Sequence, residues 1–401
     1  MRRKSIAFTD KYLQNSTMPL ENAAAVSREE IRQLVMTYGW NTTAYQILNP
    51  GFAYWFAPGV PAVAAYVRRG KVLLAAGAPV CPSEVLGTVS KQFEQFARSQ
   101  NCRVCYVCAA DRLRQVVKGS GEHSTIVIGA QPVWNPQEWP RLAADRRAIR
   151  LQVARAHNKG VTVKTIADGT GAGGPDCERE LERIVSEWLD VHALPPLHFL
   201  VEPQILHGVM KDRFIMVARR AGVAVAFLIA SPVVARNGYL IEQVARSPLA
   251  PNGSSELLID AAIRRMAAEG RDYATLGLVA LSTQAVGATA MNPWWLRLMM
   301  VIARAHANRF YNFRGLEWFR LKMAPLRWET IFAIANEPRF SLRTLYAIGE
   351  AFAGIPPWQA LSLGVLRAIR QESEHLRQRI ATGLPASVHV RSYRANGGVR
   401  R

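Results

Sequence analysis

The residues with most chemical promise sit in one loop, Arg246-Ser-Pro-Leu-Ala-Pro-Asn-Gly253, and in the strand before it, which carries Glu242. The prolines and the Asn-Gly pair break a strand, and a helix follows from Ser254 or Ser255, either of which is a suitable cap. A helix N-terminus at the end of a strand presents backbone N–H groups outward, and such a site favours a phosphate or a carboxylate. Arg246 at the start of the loop adds positive charge. Glu242 is a candidate base or amine-binding carboxylate, with a structural ion pair to an arginine as its other reading.

Three other stretches invite chemistry. The segment RRAIRLQVARAHNK (146–159) is helical by spacing and puts Arg146, Arg150 and Lys159 on one flank and Arg147 and Arg155 on another. Its charge is almost uncompensated by acids, which suits contact with a polyanion as well as a solvated face. The segment FYNFRGLEWFRLKMAPLRW (310–328) interleaves aromatic and cationic residues, as base stacking or an anionic headgroup pocket would require. Cys102, Cys105 and Cys108 have CxxCxxC spacing. Strand alternation, however, puts Cys102 and Cys108 on one side and Cys105 on the other, and no second ligand set follows at zinc-finger spacing. Buried apolar thiols are the expectation, with no metal.

The elements that must position these groups read as follows. A helix from Ser27 to Tyr38 precedes strand-like Tyr45–Gly51 and Phe52–Phe56. Val63–Val67 and Val72–Ala76 form a hairpin, a Pro/Gly loop leads to a helix capped by Ser83 and ending near Ser99, and Arg103–Cys108 is the next strand. The order returns later. Phe214–Ala218 and Val223–Ile229 form a hairpin, then come a third strand (with Leu240, Glu242 and Val244 opposite Ile241, Gln243 and Ala245), the loop, a helix ended by Gly270, and a strand over Tyr273–Leu278. That helix carries its apolar stripe on Leu257, Leu258, Ala261, Ile263 and, loosely, Met266. Between the two halves lie the Arg-rich helix, a Gly-rich loop at 169–174 and a helix over Cys177–His192. The last has Leu181, Ile184, Val185, Trp188 and Leu189 inward. NPWWLRLMMVIARAHANRF (292–310) is a helix whose paired tryptophans are read mainly as packing, with a headgroup-level contact as the second reading. Beyond 341 come a helix pair around Ile355-Pro-Pro, a charged helix and a basic end.

Composition bounds the partners. The chain has 401 residues and a formal net charge of +20 at pH 7. That surplus implies a polyanion: nucleic acid, an anionic membrane surface, or both. No signal peptide and no run long and apolar enough to span a bilayer is evident, so the expectation is a cytoplasmic protein, at most peripheral at the inner face of the plasma membrane. Five cysteines, an odd number, argue against a disulfide framework.

Strand, hairpin, strand, loop, helix, strand is the order of the GNAT acyltransferase core, although the loop here lacks the paired glycines of members that use coenzyme A. Four stretches make the likeness more specific: AYVRRGKVLLAAGAP, RRAIRLQVARAHNKGVTV, RSPLAPNGSSEL and FYNFRGLEWFRLKMAPLRW. Together they resemble the cytosolic catalytic domain of phosphatidylglycerol lysyl- and alanyltransferases. The family's multi-span membrane region is not in this sequence, and its Phe-Lys is Phe319-Arg320 here. The resemblance implies an α/β fold of two tandem GNAT-like units, each a mixed central sheet flanked by helices, with a helical C-terminal tail. The boundaries expected are 1–39 as lead-in, 40–140 and 141–340 as the two units, and 341–401 as the tail. It implies transfer of an amino acid, of lysine or alanine type, from aminoacyl-tRNA to a hydroxyl of an anionic phospholipid, with no cofactor. It carries Glu242 and Arg246 as candidate catalytic residues. As substrate-binding residues it carries Arg147, Arg150, Asn252, Gly253, Glu256, Asn312, Arg314 and Lys322. A transferase with a non-lipid acceptor and a non-catalytic, polyanion-binding pair of units are the alternatives.

Overall fold

The computed structural model describes residues 28–166, 174–191, 199–200, 206, 210–285, 288–306 and 313–354. Helix α1 (Arg28–Tyr38) leads into β1 (Ala53–Phe56), β2 (Val63–Arg69) and β3 (Val72–Ala76). Then come α2 (Leu86–Ser99), β4 (Arg103–Ala109), α3 (Asp111–Val117) and β5 (Ser124–Trp134). Next are α4 (Trp139–Asp145), the Arg-rich α5 (Arg147–Asn158), β6 (Val161–Ile166) and α6 (Pro175–Val191). The second half continues with β7 (Phe214–Arg220), β8 (Val223–Val233), β9 (Gly238–Arg246), α7 (Ser254–Ala268), β10 (Tyr273–Thr275) and β11 (Val279–Ala280). It closes with α8 (Trp294–His306), α9 (Phe313–Lys322), β12 (Arg327–Ala335) and α10 (Leu342–Ala353).

The strands among the described residues make one sheet in the order β1-β2-β3-β4-β12-β5-β10-β9-β8-β7-β6, with β11 beside β5. Only two of its pairings are parallel, β3 with β4 and β9 with β10. Parallel neighbours need a crossover, and each pair has one helix as its crossover, α2 or α7. Helices cover both faces. Phe93 and Leu86 of α2 pack on one face of the first half, and Ile31 of α1, Leu296 of α8 and Ala347 of α10 on the other. In the second half, Leu258 and Ile263 of α7 and Ile149 of α5 share a core with Met216 and Leu228, while Leu181 and Ile184 of α6 cover Ile215 and Phe227. Because α5 packs against α7 as well, Ile259 and Ala262 are buried too, and α7 shows no sharp apolar stripe.

Several expectations are corrected. Tyr45–Leu48 is a turn of 3-10 helix and not a strand, and its residues are buried. Ser83 lies within a short 3-10 turn before α2 and does not cap it. Strand β10 stops at Thr275 instead of reaching Leu278. Strands β5 and β12, unpredicted, are the seam that joins the two halves through β4 and β10. The cysteine arrangement also differs. Cys105 and Cys108 share one core and Cys102 lies in the other, because Cys108 has φ +60° and is the extra residue at a bulge opposite β12. A bulge adds one residue and reverses the alternation beyond it. Helix α6 buries Leu181, Ile184 and Val185 as read, with Trp188 and Leu189 packed beside them. Ser27, the glycines of 169–173, Asn312 and everything from Ile355 onward lie outside the described residues.

Candidate active site

The two parallel pairs differ at their C-terminal ends. Strand β3 stays paired with β4 through Ala76 and Val107, and Gly77 N–H donates to the Val107 carbonyl just beyond. Strand β9 pairs with β10 only over Gly238–Leu240 and then runs on to Arg246 past the end of β10, while the chain after Thr275 turns away to pair with β5 as β11. The result is a V-shaped opening between β9 and the segment 276–278. Arg320 of α9 donates to the carbonyls of Leu276 at 2.6 Å, Leu278 at 3.0 Å and Gly277 at 3.2 Å, holding the departing arm of the V.

Glu242 sits where the V begins, and it is a bulge. Ala230 pairs with Ile241 and Ile229 with Gln243, so Glu242 is the extra residue. The simple alternation expected along β9 therefore fails: Ile241 and Val244 point into the same core. The Glu242 side chain is fully enclosed, its two carboxylate oxygens each 3.1 Å from Arg213, whose guanidinium also donates to Asn49 and lies over the Tyr45 ring. The residue as a whole is part exposed, so its exposure is main-chain. A bulge next to a splayed pair leaves backbone polar groups facing the opening.

The remaining wall of the V is the start of α7. Gly253, with φ +97°, is its cap residue, and no side chain caps the helix: Ser254 Oγ donates instead to the Pro251 carbonyl at 2.7 Å. This corrects the expected serine cap and leaves the helix start without a side-chain cap, so its dipole is not offset by one. Glycine is required here. A Cβ at Gly253 would fall 2.1 Å from the Gln152 carbonyl of α5, so the Arg-rich helix lies directly against the loop.

The expected site residues distribute as follows. Arg246 and Asn252 are exposed at the mouth, and Gly253 is buried beneath it. Arg147 and Arg150 are on the solvent face of α5, and Arg150 reaches the Ala144 carbonyl. Glu256, in the first turn of α7, is 2.7 Å from Lys322 at the end of α9, so these two form one ion pair with both members mostly buried. Arg314 is in α9, and Asn312 lies outside the described residues. Sequence reading missed Arg320 as a positioning residue and Arg213 as the partner of Glu242. Its other omission was Glu317, which accepts from Ser282, Thr283 and Arg304 and ties α8 and α9 to the loop after β11. Each of these contacts joins residues well apart in sequence, and no local pattern signals it. A cavity of about 250 Å³ lined by Lys211, Phe214, Tyr239, Arg265 and Arg271 lies at the other end of β9 and α7. There Arg265 pairs with Glu269 and Arg271 with Asn237. Among the described residues no cluster of His, Cys, Asp or Glu has the makings of a metal site.

The family described as phosphatidylglycerol lysyltransferase, C-terminal, matches residues 32–335. Among solved structures, the C-terminal domain of a putative lysylphosphatidylglycerol synthetase from Agrobacterium fabrum is 20% identical with a TM-score of 0.66, covering 82% of this chain and 97% of that one. L-PGS from Bacillus licheniformis is 18% identical with a TM-score of 0.67 over the same shares. A conserved protein of unknown function from Bacteroides thetaiotaomicron is 13% identical with a TM-score of 0.52, covering 80% and 99%. At these identities the likeness is one of fold. No curated protein matches the chain.

Proposed function

The chain belongs to the phosphatidylglycerol lysyltransferase C-terminal family, and from that premise we propose that it moves an aminoacyl group from aminoacyl-tRNA to a hydroxyl of an anionic phospholipid such as phosphatidylglycerol. Membership makes it a transferase of lipid-modifying type; the tRNA donor, the acceptor and the site residues are this proposal. The observation that carries it is the V between β9 and β10, with the Glu242 bulge on one arm and the uncapped start of α7 at its base. The β2–β4 and β8–β10 segments, each with its crossover helix, are read as two copies of one GNAT-like unit, of which the second keeps the opening.

The reaction is a transesterification. The lipid hydroxyl oxygen bonds to the aminoacyl carbonyl carbon, the ester bond to the terminal ribose of tRNA breaks, and the ribose oxygen takes the proton. The donor ester is already activated, so the protein contributes position and charge stabilisation. Backbone donors at the bulge and at the start of α7 are suited to the developing oxyanion, where such preorganised groups act most strongly. Arg246, Arg147 and Arg150 line the approach with positive charge for donor phosphates. Glu242, enclosed with Arg213, acts by holding the bulge, while Glu256 and Lys322 fix the helix start against α9.

The test is mass spectrometry of lipids from cells making the protein, set against cells making Arg246→Ala. The expected result is a lipid heavier by one aminoacyl group, lost in the variant. An unchanged lipidome from folded, expressed protein overturns the lipid acceptor. In that case, release of amino acid from charged tRNA to a soluble amine or alcohol would support a transferase with another acceptor.

A further inference from the structure

Among the described residues, fourteen large hydrophobic side chains are exposed, and eight of them fall between Met291 and Leu326. They are not scattered within that stretch. On α8, Trp294 is 71% exposed, Leu298 54% and Val301 65%. The spacing i, i+4, i+7 puts them on one helix face. On α9, Trp318 is 67% exposed and Leu321 40%, again three residues apart. Neighbouring side chains of both helices are occupied. Leu296 and Trp295 of α8 pack into the core under the first half, and Glu317 and Arg320 of α9 bind the loop after β11 and the departing arm of the V. The Arg304–Glu317 ion pair at 2.6 Å joins the two helices. Of the paired tryptophans, Trp295 packs against the core and Trp294 is exposed.

We infer that this face is a membrane-docking surface, and that its occupant is the headgroup–acyl boundary of an anionic bilayer. Three observations select that occupant. The apolar residues are tryptophan and aliphatic with Arg297 exposed among them, a composition that lies at a bilayer interface, where indole rings sit at headgroup level and cations meet lipid phosphate. The whole chain carries +20, which attracts it to an anionic surface before any apolar contact forms. The same α9 that exposes Trp318 holds one arm of the V through Arg320, so this face and the opening share one helix. No described helix is long and apolar enough to cross the membrane, so the contact is with the interface. The inference rests on the lipid reading for its purpose, but docking itself needs neither tRNA nor turnover.

The experiment uses the full chain with vesicles of phosphatidylcholine containing phosphatidylglycerol, without tRNA. Co-sedimentation is measured for the protein and for Trp294→Ser/Leu298→Ser, with circular dichroism to verify folding. Tryptophan fluorescence is quenched with lipids brominated along the acyl chain, comparing the protein with Trp294→Phe. The expected result is binding weakened by at least about tenfold in the double variant, and quenching reduced in Trp294→Phe. Because the quenching comparison keeps an aromatic ring at 294, it stands even if the double variant fails to fold. Binding unchanged in a folded double variant, or quenching equal in the protein and Trp294→Phe, overturns the inference. So does a dimer in light scattering that the double variant dissociates, since a second copy then covers this face. Docking without any aminoacylated lipid leaves the surface standing and removes the acceptor proposal instead.

Discussion

Glu242 shows how far a residue's role depends on what encloses it. As a strand carboxylate before an anion-binding loop it suggests a base, yet in the fold its oxygens face Arg213 and its side chain is sealed. A buried pair of this kind is costly to break and cheap to replace as a unit. Arg213→Met or Glu242→Leu alone is expected to destabilise the protein by about 3–5 kcal/mol in urea unfolding, and the double variant to recover most of that loss. If instead Glu242→Gln keeps full stability and loses all transfer, the carboxylate acts in the chemistry directly. The cysteines make a second residue-scale case. All five are buried and free; burial pushes the Cys81 thiol up to about 11 and Cys108 to about 12. A thiol-reactive chromophore should therefore label none of them quickly in the native protein and all of them in denaturant.

At the scale of elements, two bulges set side-chain direction, and one of them together with a glycine belongs to the candidate site. The bulge at Glu242 lies where the V begins, and the one at Cys108 puts that thiol in the same core as Cys105. Both are one-residue insertions that appear only when the partner strand is known, which is why a period-two reading of either strand goes wrong beyond them. Gly253 is legible as a turn residue from Pro-Asn-Gly, but its second task is not: it lets α5 approach the loop to backbone distance. Gly253→Ala would combine an unfavourable φ with a clash on Gln152. The expected cost is roughly 1–3 kcal/mol of stability, with kcat/KM for aminoacyl transfer falling at least about tenfold as α5 and its arginines shift. A variant with unchanged kinetics would separate α5 from the site.

Across the whole molecule, buried carboxylates hold distant segments together. Glu329 of β12 receives Arg236, Gln131 and Arg327, and Glu317 receives Ser282, Thr283 and Arg304. For both, burial is the largest single influence and pushes the carboxyl up. The hydrogen bonds and facing arginines together outweigh it and leave each below its ordinary value of 4.5. A carboxyl depressed in the folded state stabilises at pH above its unfolded value, and that stability is lost as pH falls through the folded value. The melting temperature should thus drop as pH is lowered below about 4.5, and Glu329→Gln should be less stable at neutral pH and show a shallower drop. Equal slopes for protein and variant would remove Glu329 from the acid response.

The sequence by itself determined the α/β class, the order of strand, loop and helix in each half, the basic character and the loop, with its glycine and arginine, on which the proposed site is built. These are local matters: period, turn residues and charge are written over spans of a few residues. It also carried the family likeness, through four short segments spread over the chain. Only the tertiary structure decided which parallel pair opens, what holds Glu242, which tryptophan of the pair is exposed, and that β5 and β12 join the halves. Each of those depends on residues far apart in the chain, such as Arg213 with Glu242 and Asn49, or Arg320 with Leu276. Packing and strand register bring them together, and neither is a property of any one segment.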